Sequence, residues 1–375
     1  MNYSISKYAQ DRDNNFNLLR FIAAYLVLYS HSYALALGDP AAEPPRSVVG
    51  MSWGNIAVDV FFITSGFLIA NSFFGRNNII VFTWARILRI FPALFVSVIL
   101  CVLVLGPIFT SLNFRDYIFD LTTIKFLIKN SILVLGIEYR LPEVFTENPM
   151  RAVNGSLWTL PFEITMYFWL AVFGSILVLI KSIVPSWFPK LVFSLLVFVS
   201  ALAYVTTHFE VEPLSSAILV HTSGKFAQLF YMFFLGSAFY LFRHEIYLSA
   251  RVFYAICALL FVTSFNHDAF FVCYSLTLPY VIFFLAYVPS GKVRQFNQFG
   301  DYSYGMYIYA YPVQQTVAAL IPGVSVWIMI VYSSIGTFVL AYLSWHFVEK
   351  NALQLKGVAY YLSNRIKLSG LKQPS

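Results

Sequence analysis

The sequence predicts an all-α fold: a polytopic membrane helix bundle with about ten transmembrane helices and a re-entrant or interfacial hairpin around 108–153. Three observations predict it. Of the 375 residues, 59% are hydrophobic and only 11% charged, and the mean hydropathy is +0.72, which is more apolar surface than one soluble core could hide. Apolar runs of helix-spanning length recur from residue 16 to residue 347, separated by short polar or Gly/Pro-containing connections. Lys and Arg gather on alternate connections, as they do when the cytoplasmic loops of a membrane protein retain positive charge.

The first span, 16–37, reads FNLLRFIAAYLVLYSHSYALAL. A polar head leads straight into it and no small-residue cleavage pattern follows, so it is expected to persist as an anchor. A loop containing Pro40, Pro44 and Pro45 leads to a second span at 55–74, and a turn at Gly75 and Arg76 returns the chain into a third at 80–105, which Gly106-Pro107 is expected to end. From there to Asn154 the pattern is irregular. Its apolar piece, 126–137, is short for a crossing and is flanked by Asp116, Asp120, Lys125, Lys129, Glu138 and Arg140. Further spans are expected at 156–180, 191–207, 226–242, 252–265, 269–288, 302–321 and 324–347. The expected layout is a cytoplasmic segment 1–15, a membrane domain 16–350 and a basic cytoplasmic tail 351–375.

With the N-terminus in the cytoplasm, 17 of the 24 Lys and Arg fall on the inner side and 7 on the outer, so both termini are expected inside. A crossing by 126–137 would invert every later loop and expel most of these charges. The net charge of +7 does not point to nucleic acid, because the basic residues are scattered over short loops. Cys101, Cys257 and Cys273 lie in apolar segments without metal-ligand spacing, so neither a disulfide nor a metal site is expected. No internal repeat of the transporter kind is visible.

Ionisable groups inside spanning helices are costly and mark functional candidates. Ten residues separate Arg20 from His31, about 16 Å along a helix and roughly half of a ~30 Å hydrocarbon core, so one sits near each face. By itself His31 reads as a histidine hydrogen-bonded to a neighbouring helix, and the neighbouring spans shift that reading. Asp59 falls at a depth similar to His31, where it could also cap its helix or bind a cation, and the nearby Ser65-Gly66 reads as a helix-packing patch. Arg86 and Arg89, three apart, share a helix face near the cytoplasm. They read either as anchors snorkelling to inner headgroups or, with Pro92 able to kink the helix, as a grip on a phosphate-bearing ligand. Glu163 shares a face with Tyr167 and again lies in the outer part of the membrane.

His31, Asp59 and Glu163 can thus form one outward-opening site, in which a carboxylate holds the imidazole tautomer and supports its use as a base. A purely structural buried triad is the alternative. Asp301 and Ser303 read as helix-cap residues, and His346 and Glu349 as interfacial groups.

Taken in order, these residues resemble the integral-membrane acyltransferase family 3, whose members O-acylate envelope glycans and other extracytoplasmic acceptors. The resemblance is carried by Arg20 and His31, by Val58-Asp59-Val60-Phe61-Phe62 with Ser65-Gly66-Phe67, and by Arg86 and Arg89 before Pro92. Ser156-Leu-Trp-Thr-Leu-Pro-Phe-Glu163, Asp301-Tyr-Ser-Tyr-Gly305-Met-Tyr307 and 344–349 complete it. It covers nearly the whole chain. Two positions depart from the pattern: Ala57 stands where a glycine is common, and Ala310 where many members have a histidine.

The resemblance implies an O-acyltransferase of a bacterial cytoplasmic (inner) membrane, moving an acyl group, expected to be acetyl, from cytoplasmic acyl-CoA to a hydroxyl of an extracytoplasmic saccharide, polymeric or lipid-linked. It implies His31, Asp59 and Glu163 as catalytic residues and Arg20, Arg86 and Arg89 as donor-binding residues. Acyl-CoA is then a substrate, and no tightly bound cofactor is expected. His31 would serve as general base with Asp59 or Glu163 orienting it, or would itself carry the acyl group. A transporter of a lipid-linked sugar or small anion is the competing class, in which the same charges would bind cargo.

Overall fold

The computed structural model describes residues 3–9, 13–76, 78–209 and 224–359, and most of these are helical, the stretch 133–154 being the longest irregular one. Arg12, Val211 and the tail from 360 onward, including Arg365, Lys367 and Lys372, lie outside the described residues. All ten expected spans are helices: α1 (Phe16–Leu37), α2 (Trp53–Arg76), α3 (Ile79–Leu100), α6 (Thr159–Leu179), α7 (Phe188–His208), α8 (Gly224–Leu241), α9 (Ala250–Thr263), α10 (His267–Tyr287), α11 (Ser303–Leu320) and α12 (Val326–Ser344). Among the described residues, seven helices are long and apolar enough to cross a membrane. The other three are α8, α9 and α11. The 14 residues of α9 rise only about 21 Å, and α11 carries two adjacent glutamines, Gln314 and Gln315.

The segment after α3 holds two short helices, α4 (Phe114–Phe119) and α5 (Leu121–Ile132). Asn113 caps the first by accepting from Asp116 N at 3.0 Å, and Asp120 caps the second by accepting from Thr122 N at 2.7 Å. The 12 residues of α5 rise about 18 Å, too little to cross. Asn130 then ties the helix to the returning chain, donating to Glu138 O at 2.8 Å and accepting from Glu138 N at 3.0 Å.

Gly106-Pro107 does not end the third span. A π-helical turn at Cys101–Leu105 and a helical segment at Gly106–Phe109 carry it on, so the span runs Ile79–Phe109. Pro107 lies in the first turn of the resumed segment, where a missing N–H costs little. The Val102 carbonyl in the π turn accepts from the Tyr117 hydroxyl at 2.9 Å, as such turns allow by loosening the backbone ladder.

The chain packs as two compact units. The first comprises Met1–Ala23, Glu43–Gly75 and Phe162–Gly300. Inside it α2 and α8 approach until backbones touch: a Cβ on Gly66 would lie 1.9 Å from Phe233 O, and one on Gly236 would lie 2.1 Å from Ile63 O. Small residues drive this packing because lipid provides no hydrophobic force between helices. Phe16, Phe67, Phe283 and Tyr287 fill the space beside it, with ring centroids 4.6–6.3 Å apart.

The second unit comprises Ala24–Ala42, Arg76–Pro161 and Asp301–Ser375. Here α11 packs on α12, and the connection before α6 is fastened to α11. Asn148 donates to Gln315 O and Oε1 at 2.9 and 2.7 Å, Gln315 donates to Met150 O at 2.7 Å, and Asn154 donates to Ile308 O at 2.9 Å.

Candidate active site

The six candidates divide evenly between the units: Arg20, Asp59 and Glu163 in the first, His31, Arg86 and Arg89 in the second. Arg20 and His31 occupy one helix, α1. Arg20 is partly buried, with its guanidinium 5.9 Å from the centre of the Phe61 ring.

His31 is held by α11. Its ring stands edge-on to Tyr311, centroids 5.1 Å apart and planes at 78°. Next to it, Ser32 donates to Leu28 O at 2.9 Å, and the Gln314 amide nitrogen donates both to Leu28 O at 2.8 Å and to Ser32 Oγ at 2.7 Å. Gln314 and Ser32 are completely buried. Among the described residues, the buried Nδ1 of His31 has no hydrogen-bond partner. Such an atom forgoes about 1–3 kcal/mol of solvation, a cost that a base which must keep a nitrogen for its substrate has to bear. Tyr311 is set by the chain that packs on it, since a Cβ on Gly155 would lie 2.5 Å from the ring.

Sequence reasoning missed Gln314 and Tyr311. The signal was present in Tyr311-Pro-Val-Gln314-Gln315, because paired amides in an apolar helix need partners.

Arg89 sits between two carboxylates. Its Nη2 lies 2.6 Å from Asp301 Oδ2 and its Nη1 lies 3.4 Å from Glu349 Oε2. Asp301 also accepts from Ser303 N and Oγ just before α11, whose N-cap position is Tyr302 and not the expected Asp301 or Ser303. Glu349 differs from its reading as an interfacial group: it is 2% exposed and also accepts from Ser344 Oγ at 3.0 Å. A π-helical turn at Trp345–Glu349 continues α12 and delivers this side chain inward, off the register that a regular helix would give. Arg86 stands one turn before Arg89 and is partly buried.

In the first unit, Asp59 is completely buried, six residues inside α2 and so beyond its cap. Oδ1 accepts from Gln228 Nε2 at 2.8 Å and Oδ2 accepts from the Tyr274 hydroxyl at 2.9 Å. Lys225 Nζ reaches the other end of that amide, 3.4 Å from Gln228 Oε1. Both oxygens of a carboxylate are thereby satisfied by neutral donors, which keeps a buried charge tolerable. Glu163 accepts from the Tyr167 hydroxyl one turn along α6, so the expected shared face is real, and Tyr167 OH lies 3.2 Å from Ser65 Oγ on α2. No cluster of His, Cys, Asp and Glu suited to a metal ion occurs among the described residues.

Comparison with known proteins agrees in kind. A family profile described as an acyltransferase domain matches residues 13–346. The chain is 28% identical over 377 residues to Nodulation protein 10 of Rhizobium leguminosarum bv. viciae, covering 94% of this chain and 96% of that one. It is 29% identical over 349 residues to an O-acetyl transferase of Shigella phage Sf6, covering 91% of this chain and 96% of that one. No solved structure matches.

Proposed function

The chain belongs to the acyltransferase 3 family, and from that premise we propose that it is a membrane O-acetyltransferase taking its acyl group from cytoplasmic acyl-CoA. The acceptor is a hydroxyl of an extracytoplasmic saccharide, either a cell-surface polysaccharide or its lipid-linked precursor. The similarity to a phage O-acetyl transferase supports the acetyl group. The 17 to 7 charge asymmetry supports a cytoplasmic origin for both termini and hence for the basic ends of the helices that carry Arg20, Arg86 and Arg89. At those ends the phosphates of a nucleotide-bearing donor meet guanidinium groups able to bind them bidentately.

The observation that carries the reading is His31, an imidazole inside a span, braced by Gln314 and Tyr311, with a buried nitrogen free of protein partners among the described residues. It serves as general base for the acceptor hydroxyl, a contribution of roughly 10²–10⁴-fold. Asp59 and Glu163 supply the carboxylates of the reaction. Mass spectrometry of surface glycans from cells with and without the protein tests the assignment: an acetyl-sized mass difference on one saccharide is expected, and identical glycans would overturn it.

A further inference from the structure

Serines and threonines in this protein's helices mostly bond back to their own helix. Thr64 donates to Val60 O at 2.8 Å, Ser200 to Leu196 O at 2.7 Å and Ser275 to Phe271 O at 2.7 Å, the local solution available to a hydroxyl in an apolar helix. Ser65 departs from this. Its Oγ reaches across to the Tyr167 hydroxyl at 3.2 Å, and Tyr167 in turn donates to Glu163. A phenol has one proton; with that proton on Glu163, Ser65 must be the donor to the Tyr167 oxygen. The result is a directed chain, serine to tyrosine to carboxylate, lying wholly within the first unit.

Its placement suits transfer across a membrane. Ser65 lies twelve residues after Trp53 in the Trp53–Gly75 span, and Tyr167 lies twelve residues after Gly155 in the Gly155–Leu179 span. Each is about 18 Å along a helix, near the middle of a ~30 Å core. Ser65 and Glu163 are partly exposed, whereas Tyr167 between them is buried, so the two ends are accessible and the link is dry. Helix packing does not require the serine, because Gly66 makes the close contact with α8.

We infer that Ser65 is a nucleophile that carries the acyl group between donor and acceptor, with Tyr167 passing its proton to Glu163. The inference rests on the proposed acyl-CoA-dependent reaction. In the first step Ser65 Oγ attacks the thioester carbonyl; the carbon–oxygen bond forms, the carbon–sulfur bond breaks, and coenzyme A leaves as thiolate. The serine proton moves to the Tyr167 oxygen as the phenolic proton moves to Glu163. In the second step the acceptor hydroxyl attacks the acyl-serine and gives up its proton, and Glu163 returns its own proton through Tyr167 to Ser65 Oγ. The acceptor's proton passes to the medium, where the thiolate is protonated.

The test incubates purified protein in nanodiscs with isotopically labelled acetyl-CoA and no acceptor, quenches in acid and maps the label by peptide mass spectrometry. Label is expected on Ser65 in the wild type and not in Ser65→Ala. Tyr167→Phe should label roughly 10²-fold more slowly or worse. Ser65→Cys should regain label as a thioester released by neutral hydroxylamine. If Ser65 stays unlabelled in a wild type that consumes acetyl-CoA once acceptor is added, or Ser65→Ala transfers acetyl to acceptor at the wild-type rate, the relay is overturned and the donor reading stands. If the wild type supplied with acceptor consumes no acetyl-CoA, the donor reading falls and takes the relay with it.

Discussion

Gln314 donates from a single amide nitrogen to Ser32 Oγ, at 2.7 Å, and to Leu28 O, at 2.8 Å, and so locks α1 in the turn that carries His31. Replacing it with leucine keeps the volume and removes both bonds. A displacement of about 1 Å at a catalytic group can cost ~10²-fold. Gln314→Leu should therefore lower kcat by that order while the apparent KM for acyl-CoA changes little. Steady-state titration of acyl-CoA in nanodiscs checks this, and a rise in KM at unchanged kcat would remove Gln314 from the positioning of His31.

His31→Ala should abolish acyl transfer with expression and membrane insertion close to wild type, because one imidazole contributes little to a bundle of this size. His31→Gln can still hydrogen-bond but cannot act as a base near neutral pH. It should be equally inactive, measured as acetyl transferred to acceptor. Activity in either variant would take His31 out of the chemistry.

The positions of the helices and the residues that carry ionisable groups were legible in the sequence, because apolar length and buried charge are both one-dimensional signals. What joins those residues was not. The Arg89–Glu349 contact depends on a π-helical turn at Trp345–Glu349 that no spacing rule anticipates. Ser65-Gly66 read as one packing patch, yet Gly66 meets Phe233 on α8 while Ser65 turns to Tyr167 on α6. A helix exposes neighbouring residues on different faces, so a dipeptide can serve two partners. The third span outlasted Gly106-Pro107 because proline stops a helix only where its missing N–H was needed.

Arg89 and Glu349 form a largely buried pair, 14% and 2% exposed. Removing one partner strands the other charge, at a typical cost of about 3–5 kcal/mol. Arg89→Ala should thus lower thermal stability in detergent markedly. The double variant Arg89→Met with Glu349→Gln should recover part of it. If the single variant melts like wild type, the pair contributes no more than a surface ion pair does.

Topology can be tested by cysteine labelling. Glu43 is a poor reporter, being 1% exposed with a carboxylate that accepts from Trp53 N at 2.8 Å. Asp39 and Gln295 are exposed. Given the 17 to 7 asymmetry, a cysteine at Asp39 should react with an impermeant thiol reagent from outside. One at Gln295 should react only after the membrane is opened. Labelling of position 295 from outside would mean that the segment around α4 and α5 includes a crossing.

The two arginines of α3 should separate in a donor titration. If both contact the phosphates of coenzyme A, each alanine variant loses charge-assisted bonds of about 1.5–3 kcal/mol, a rise in apparent KM of roughly 10- to 150-fold. Arg89, however, already spends its fork on Asp301 and Glu349, so Arg89→Ala should combine that rise with lost stability. Arg86→Ala should raise KM by a similar factor. Lysine at position 86 keeps the charge without the planar fork and should give an intermediate KM. Following binding and turnover separately in nanodiscs makes the distinction. Unchanged acyl-CoA affinity in Arg86→Ala would return that residue to an anchor at the inner headgroups, and unchanged affinity in Arg89→Ala would leave Arg89 as the brace that joins α3 to the start of α11 and the end of α12.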